Sequence, residues 1–541
     1  MNPNNQKPSF LDRGTIIAFV IIMVFWVLWA NFMEKKTPSP QANAPVASSP
    51  TPGATPSLTA QAPAAGEAAA LSAAASQNET FTDFSDDKWS FQISSKGMGL
   101  RNIDIKAYTD RENRPVVLGE VSGPHPFATE LLENGQPIDF AIEKTASDTF
   151  VGRANVGGVQ IEKTMKVDPA TYSIATEINA VGPAGQFKGF ATNLSDKLAE
   201  VHQSGFLSGG SYERQDWFVA HDDTKTRQVL SKEKGNALDA QNVTVAALSS
   251  HYFALAIVDN SPLLPSFESK MAPQAMVATG RLVYKPVNPV DNFAVKYTAF
   301  AGPKSFDILS KVDEKLTNVI DYGTFAVIAK PILRLLKFLH SILGNWGWSI
   351  ILLTILVRML VLPFNIYSFR SMKVMQKIQP EMTRIREKYK DATPDKKMQM
   401  NQEIMELMKA HKANPLGGCL PMLLQLPVFF ALYQVLGQSI ELYKAPFMLW
   451  ITDLSAKDPY FVLPVLMGIT MFVQQKITPT TMDPQQAKIM MWMPVIFSVF
   501  MVSLPSGLTL YIFVSTLFGI IQQFVFMRDR TPAASVKPAK A

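Results

Sequence analysis

Apolar positions along the chain fall into three regimes. Residues 14–32, "GTIIAFVIIMVFWVLWANF", are almost continuously apolar. They are long enough to cross a bilayer, which takes about 20 such residues. From 81 to about 300, apolar and polar residues alternate in short stretches such as "WSFQIS", "GVQIEKTMKV", "TYSIATEINAV", "YFALAIV" and "NFAVKYTAF". Gly, Pro, Asn and Asp punctuate them. Strands recurring without long helices between them predict an antiparallel β-sandwich. Continuous apolar runs return at 346–366, 418–440, 460–477, 485–503 and 508–527. With the first run they predict six membrane spans.

The segments between these runs have their own patterns. Residues 1–13 form a short basic N-terminus, and 14–32 read as an uncleaved signal anchor. The stretch 33–80 is mostly Pro, Ala and Ser, which cannot bury a core and predicts a flexible linker. The β-sandwich occupies 81–322 and shows no catalytic constellation. Residues 323–345 predict an amphipathic helix lying in the membrane interface, or else packed on the sandwich. Lys330, Arg334 and Lys337 share one face, and Leu, Ile and Phe fill the other. In 367–417, Met375, Ile378, Met382, Ile385 and Tyr389 follow a 3,4 spacing. "DATPD" then makes a turn, and Met398, Ile404, Met405, Leu407 and Met408 follow. This predicts an antiparallel helical hairpin of coiled-coil type. Its methionines either fill the seam or present an adaptable apolar surface. Short loops at 441–459, 478–484 and 504–507 and a tail at 528–541 complete the chain.

Charge orients this pattern. The net charge is only +6, so placement matters more than size. Loop 367–417 carries eleven Lys and Arg against six Asp and Glu, whereas 441–459 has two basic and three acidic residues. The positive-inside rule makes the first loop cytoplasmic. By parity both termini are cytoplasmic and the β domain lies outside. The single cysteine, Cys419, forms no intrachain disulfide, and the six histidines lack metal-ligand spacing. Motifs for nucleotide binding, zinc or a nucleophile elbow are absent, so neither an enzyme nor a cofactor nor nucleic-acid recognition is expected.

One residue breaks the apolar pattern. Arg358 sits inside "TILVRMLVLPF", and no span contains an Asp or Glu to answer it. A central Arg facing lipid costs about 2.5–3.5 kcal/mol on insertion scales. Water and neutral dipoles remain. Thr354 and Asn365 lie on about the same face of the helix as Arg358. Gln425 lies in the third span, Thr470 and Gln474 in the fourth. Tyr511, Ser515, Gly519 and Gln522 form a stripe in the sixth. Most of these share the inner half of the membrane. They predict a wet pocket open inward and sealed outward, with ordinary interhelical hydrogen bonding as the simpler account of the glutamines. A small-anion transporter using Arg358 is the alternative, though no inverted repeat is visible. An anchored binding module would not need five further spans.

The membrane Arg358, "NPLGGC" at 414–419, "APFMLWITDLSAKDPY" at 445–460, "PTTMDPQQAKIM" at 479–490 and "PSGLTLY" at 505–511 resemble the YidC-type membrane protein insertases of Gram-negative bacteria. The resemblance covers essentially all of 323–527, and the 81–300 region follows by position and strand pattern. It implies a five-helix insertase core around a hydrophilic groove, a large periplasmic β-sandwich, and insertion without nucleotide hydrolysis or cofactor. It places the family's groove Arg on Arg358 and its upstream Thr on Thr354. Substrate-contacting positions fall on Gln425, Leu426, Pro427, Tyr511 and Ile512. The implied partners are nascent membrane proteins, the Sec translocon, the ribosome and the lipid bilayer. The implied location is the bacterial inner membrane.

Overall fold

The alternating stretches are strands. In the computed structural model they are β1 (Phe81–Ser85), β2 (Trp89–Ser94), β3 (Leu100–Thr109), β4 (Pro115–Leu118), β5 (Thr129–Leu131), β6 (Ala141–Lys144), β7 (Thr149–Val156), β8 (Val159–Asp168), β9 (Ser173–Val181), β10 (Phe190–Lys197), β11 (Asp216–His221), β12 (Thr224–Val229), β13 (Asp239–Ala240), β14 (Val245–Ser249), β15 (Phe253–Asp259), β16 (Ser266–Lys270), β17 (Val277–Tyr284) and β18 (Asn292–Pro303). The structure describes residues 79–110, 112–119, 123–183, 188–198, 215–221, 224–230, 237–270, 277–286, 292–389, 394–411, 420–478 and 484–527. The expected first span, the linker, "NPLGGC" and the tail lie outside the described residues, as does most of the 478–484 loop.

The strands form three sheets, ordered β1-β2-β3-β4, β13-β16-β17-β10-β5 and β12-β11-β14-β15-β18-β9-β8-β7-β6. Every pairing is antiparallel. Period-two patterning explains the shared core. Along β8, Val159, Ile161, Met165 and Val167 are buried while their neighbours are exposed or half-buried. The fifth inward position is Lys163, fully buried. Its Nζ donates to the carbonyl oxygens of Gly97 (2.9 Å), Met98 (3.2 Å) and Phe127 (2.8 Å), and to Thr129 Oγ1 (3.1 Å). One side chain thereby ties the β2–β3 turn and the segment entering β5 to the largest sheet. Burial pushes its ammonium down to about 7.

Helices follow the sheets: α1 (Phe306–Val312), α2 (Ala326–Leu343), α3 (Trp346–Lys388), α4 (Pro394–Ala410), α5 (Leu420–Gln438), α6 (Val462–Ile477), α7 (Pro484–Met501) and α8 (Ser506–Met527). Helix α2 buries Ala329, Ile332, Leu333, Leu336 and Leu339 and packs against α3 and α5. Two of its three basic side chains turn back upon the chain, while Arg334 stays exposed. Lys337 pairs with Glu441 (2.7 Å) and Asp307 (3.0 Å), and Lys330 sits 5.7 Å from the Phe306 ring centre. Val327, Ile328, Phe338 and Ile342 stay exposed on a second, apolar face. Gly344 ends α2 in the left-handed region (φ 65°), and Asn345 caps α3 by accepting from Trp348 N (3.2 Å).

Helix α3 is unbroken for 43 residues, about 65 Å at 1.5 Å per residue. The sequence boundary between 366 and 367 falls within it. Its second half packs on α4 through Met375, Ile378, Met382 and Ile404, with Met400, Leu407 and Met408 alongside. Met398 and Met405 point outward instead. Lys388 Nζ and Tyr389 Oη both donate to Glu403 Oε1, at 2.8 and 2.9 Å. Among the described residues, α3 and α8 are long and apolar enough to span a membrane; α6 and Ile489–Met501 are shorter apolar helices.

The β domain rests on the end of the bundle where α5 stops. Tyr443 Oη donates to Thr109 O (2.9 Å), and Lys444 Nζ to Thr109 Oγ1 and Asn113 Oδ1 (both 2.7 Å). His251 Nε2 bonds Gly437 O at 2.7 Å. The "DLSAKDPY" stretch is built around two carboxylates. Asp453 accepts from the backbone N–H groups of Lys444 (3.1 Å) and Ser455 (2.8 Å). Asp458, buried, accepts from Trp450 Nε1 (3.1 Å), Tyr460 N (3.0 Å) and Leu463 N (2.7 Å) at the start of α6. The motif is a capped turn that fixes where α6 begins.

Candidate functional site

Helix α8 packs against α3, α5 and α6, so its polar stripe is read by three neighbours. Each step of the stripe meets a different partner. Nearest the β domain, Tyr511 Oη accepts from Gln425 Nε2 on α5 (2.7 Å). One turn on, Ser515 Oγ accepts from Arg358 Nε (2.8 Å) and Nη2 (2.6 Å) on α3. Two turns further, Gln522 Oε1 accepts from Asn365 Nδ2 (3.2 Å). A spacing of 7 on both helices, with a further spacing of 4 on α8, brings this about. Arg358 and Asn365 are two turns apart on α3, as Ser515 and Gln522 are on α8.

Arg358 is half-buried and has no carboxylate within ion-pair distance among the described residues. Its third nitrogen, Nη1, has no hydrogen-bond acceptor there either. Among the described residues the Ser515 hydroxyl is the protein group that answers the charge, consistent with the absence of acidic residues in the spans. Leu356, Met359, Leu360 and Phe364 on the same helix are exposed, a surface suited to lipid.

The other expected residues are placed as follows. Thr354 is buried, and its hydroxyl donates back to Ile350 O (2.6 Å), so it does not reach Arg358. Such a bond within the helix spares the cost of an unpaired hydroxyl. Leu426 and Pro427 are half-buried beside Gln425. Tyr511 and Ile512 are buried inside the bundle. The Gln474 carboxamide lies against the backbone of Gly519: a Cβ there would sit 2.8 Å from Gln474 Nε2 and 4.0 Å from Arg358 Nη1.

Gln523 escaped the sequence pattern, and Gly519, which the stripe includes, gains its role only from the structure. Gln523 Nε2 donates to Ile477 O (3.0 Å) and Thr478 Oγ1 (3.2 Å), tying α8 to the end of α6. It lies one residue off the stripe, so helical spacing alone does not select it. Gly519 reads as a small residue for close packing until its neighbours on other helices are known.

Two family profiles match the chain: that of the 60Kd inner membrane protein over residues 338–533, and that of the YidC periplasmic domain over 82–335. The membrane protein insertase YidC of Syntrophus aciditrophicus is 34% identical over 551 residues, covering 95% of this chain and 99% of that protein. The one from Geobacter metallireducens is 34% identical, covering 95% and 98%. That of Geobacter sp. strain M21 is 51% identical over 237 residues, 44% of each chain. A crystal structure of an active YidC insertase with its first transmembrane domain resolved is also similar, at 20% identity and TM-score 0.38, covering 84% of this chain and 93% of that one.

Proposed function

The chain belongs to the YidC family of membrane protein insertases, and we propose that it inserts and helps fold inner-membrane proteins through a hydrophilic groove centred on Arg358. The function is not enzymatic. The observation that carries the groove is the polar stripe of α8. An arginine with no acidic partner meets a serine, between a Tyr–Gln pair on one side and an Asn–Gln pair on the other. Desolvating that guanidinium in a dry bundle is unfavourable, so water beside it is the physically economical state.

In this reading six spans cross the membrane, with both termini and the α3–α4 extension in the cytoplasm. The β domain and the 441–459 loop lie in the periplasm. The charge excess of 367–417 supports that orientation, as does the docking of Tyr443 and Lys444 on the β domain. The Met-bearing α3–α4 pair receives the incoming apolar segment. Arg358 offers a site to acidic or polar residues of the part that must cross. The substrate's apolar helix then moves into lipid beside α5 and α8, driven by burial of about 0.8 kcal/mol per CH₂. The Sec translocon and the ribosome are proposed partners for longer substrates.

Reconstitution tests this. The purified protein in liposomes should insert a single-span substrate, read by protease protection, without nucleotide. No insertion above protein-free liposomes overturns the proposal. Anion flux without insertion would favour a small-anion transporter.

A further inference from the structure

The stripe of α8 contains a position with no side chain at the point where it matters most. Gly519 lies one turn beyond Ser515, on the face that meets Arg358. The end of Gln474 occupies the space its side chain would take, with Nε2 2.8 Å from the ideal Cβ position. Arg358 Nη1 lies 4.0 Å from the same point. Both groups are hydrogen-bond donors, and neither has an acceptor among the described residues. One helical turn lower, the buried Nε2 of Gln522 is also without a partner. Donors from α3, α6 and α8 thus lie near one another, and the one acceptor bonded there among the described residues, Ser515 Oγ, is already taken by Arg358 Nε and Nη2. The Gln522 nitrogen is buried, and a buried donor left unpaired is costly, whereas Gln474 and Arg358 are half-buried and free to exchange water for an oxygen that arrives from elsewhere.

We propose that Gly519 is a positioning residue, the backbone notch that holds the Gln474 carboxamide beside Arg358, and that the two donors together form a subsite for an oxygen acceptor of the translocating segment, either a side-chain carboxylate or a peptide carbonyl. This rests on the groove reading above and adds a specific two-point contact. A segment entering the groove gives up water from its polar groups. A guanidinium with one free edge and a neutral amide replace that water without binding so tightly as to trap the segment. Because the obstructing atom at Gly519 is the far end of a flexible side chain, a methyl there displaces Gln474 rather than the backbone.

The test uses the full chain in proteoliposomes with a single-span substrate whose translocated segment carries Asp, and a second version with Asn in its place. Gly519→Ala and Gln474→Ala should each reduce insertion several-fold. The double variant should be no worse than either single one, with unchanged melting temperature. Gln474→Asn should recover part of the activity, whereas Gln474→Glu should abolish any advantage of the Asp substrate by occupying Arg358 itself. A loss confined to the Asp substrate assigns the subsite to carboxylates; an equal loss for both assigns it to peptide carbonyls. Parental activity in both alanine variants overturns the proposal, as do losses that multiply in the double variant. Arg358→Ala, run in parallel, separates the two levels: if it alone impairs insertion, the groove stands and the subsite falls; if it too is active, the groove reading itself fails.

Discussion

Arg358 places two of its nitrogens, Nε and Nη2, on the single hydroxyl of Ser515, at 2.8 and 2.6 Å. A charged group bonded only to a neutral one is weakly anchored in the protein and remains available to something else. The consequence is measurable. Arg358→Lys keeps the charge and should retain much of the insertion activity. Arg358→Ala should harm substrates with acidic translocated segments most. Neither should cost the roughly 3–5 kcal/mol that follows from breaking a buried ion pair, because no partner charge is orphaned. Insertion of acidic and neutralised substrate, with thermal melting of each variant, decides this. Equal loss for both substrates together with a collapsed melting temperature would make Arg358 structural.

Lys163 should be structural in the β domain. Lys163→Met takes the Lys163 donor from the carbonyls of Met98 and Phe127 and from the Thr129 hydroxyl, while Gly97 O keeps the N–H of Thr129 (2.8 Å), and should destabilise the domain by on the order of 3 kcal/mol. The pH dependence has a definite sign. Burial lowers the folded pKa to about 7 from the ordinary 10.5, so between those values the unfolded chain binds more protons. Stability from this group therefore rises with pH across that window. The melting temperature of the parent, relative to Lys163→Met, should climb from pH 7 to pH 9. A flat difference refutes the assignment.

Gly347 packs against a ring. A Cβ there would lie 1.9 Å from Phe447 Cδ2. Gly347→Ala should therefore cost about 1–3 kcal/mol through overpacking where α3 meets the 446–461 loop. Adding Phe447→Leu should restore part of the loss. Additive destabilisation in the double variant would show that the two do not share one space.

The membrane orientation can be read by cysteine labelling in a Cys419→Ser background. Thr452 and Gln376 are both exposed, whereas the Ser455 hydroxyl is buried on Asp453 (2.7 Å) and would label poorly. Thr452→Cys should react from the periplasm and Gln376→Cys only from the cytoplasm. Reaction of both from one side contradicts the six-span arrangement.

Removing 373–411 deletes the C-terminal third of α3 and all of α4. Their apolar contacts are to each other, so the bundle should still assemble while insertion falls. Normal insertion by this deletion would exclude a receiving role for the α3–α4 pair.

The sequence by itself determined the element types and the logic of the site. Period-two stretches became strands because a half-buried strand shows its alternation directly, as β8 does. The apolar runs within the described residues became helices because a chain in lipid must satisfy its own backbone. The missing acidic residue in the spans already said that Arg358 would be met by dipoles. Which dipoles was a tertiary matter. Thr354 and Ser515 are both hydroxyls within reach by helical arithmetic, yet Thr354 bonds its own backbone and Ser515 takes the arginine, because α8 packs against that face of α3. Lys163 stands on the inward phase of an alternating strand, and only the approach of two segments, one from each of the other sheets, supplies the four oxygens that let a charge sit there. Gly519 stands in the stripe by its spacing, but an absent side chain acquires meaning only from the neighbours that fill its place. Periodicity along one chain fixes which face of an element is apolar or polar, whereas partners come from long-range packing, which local spacing does not encode.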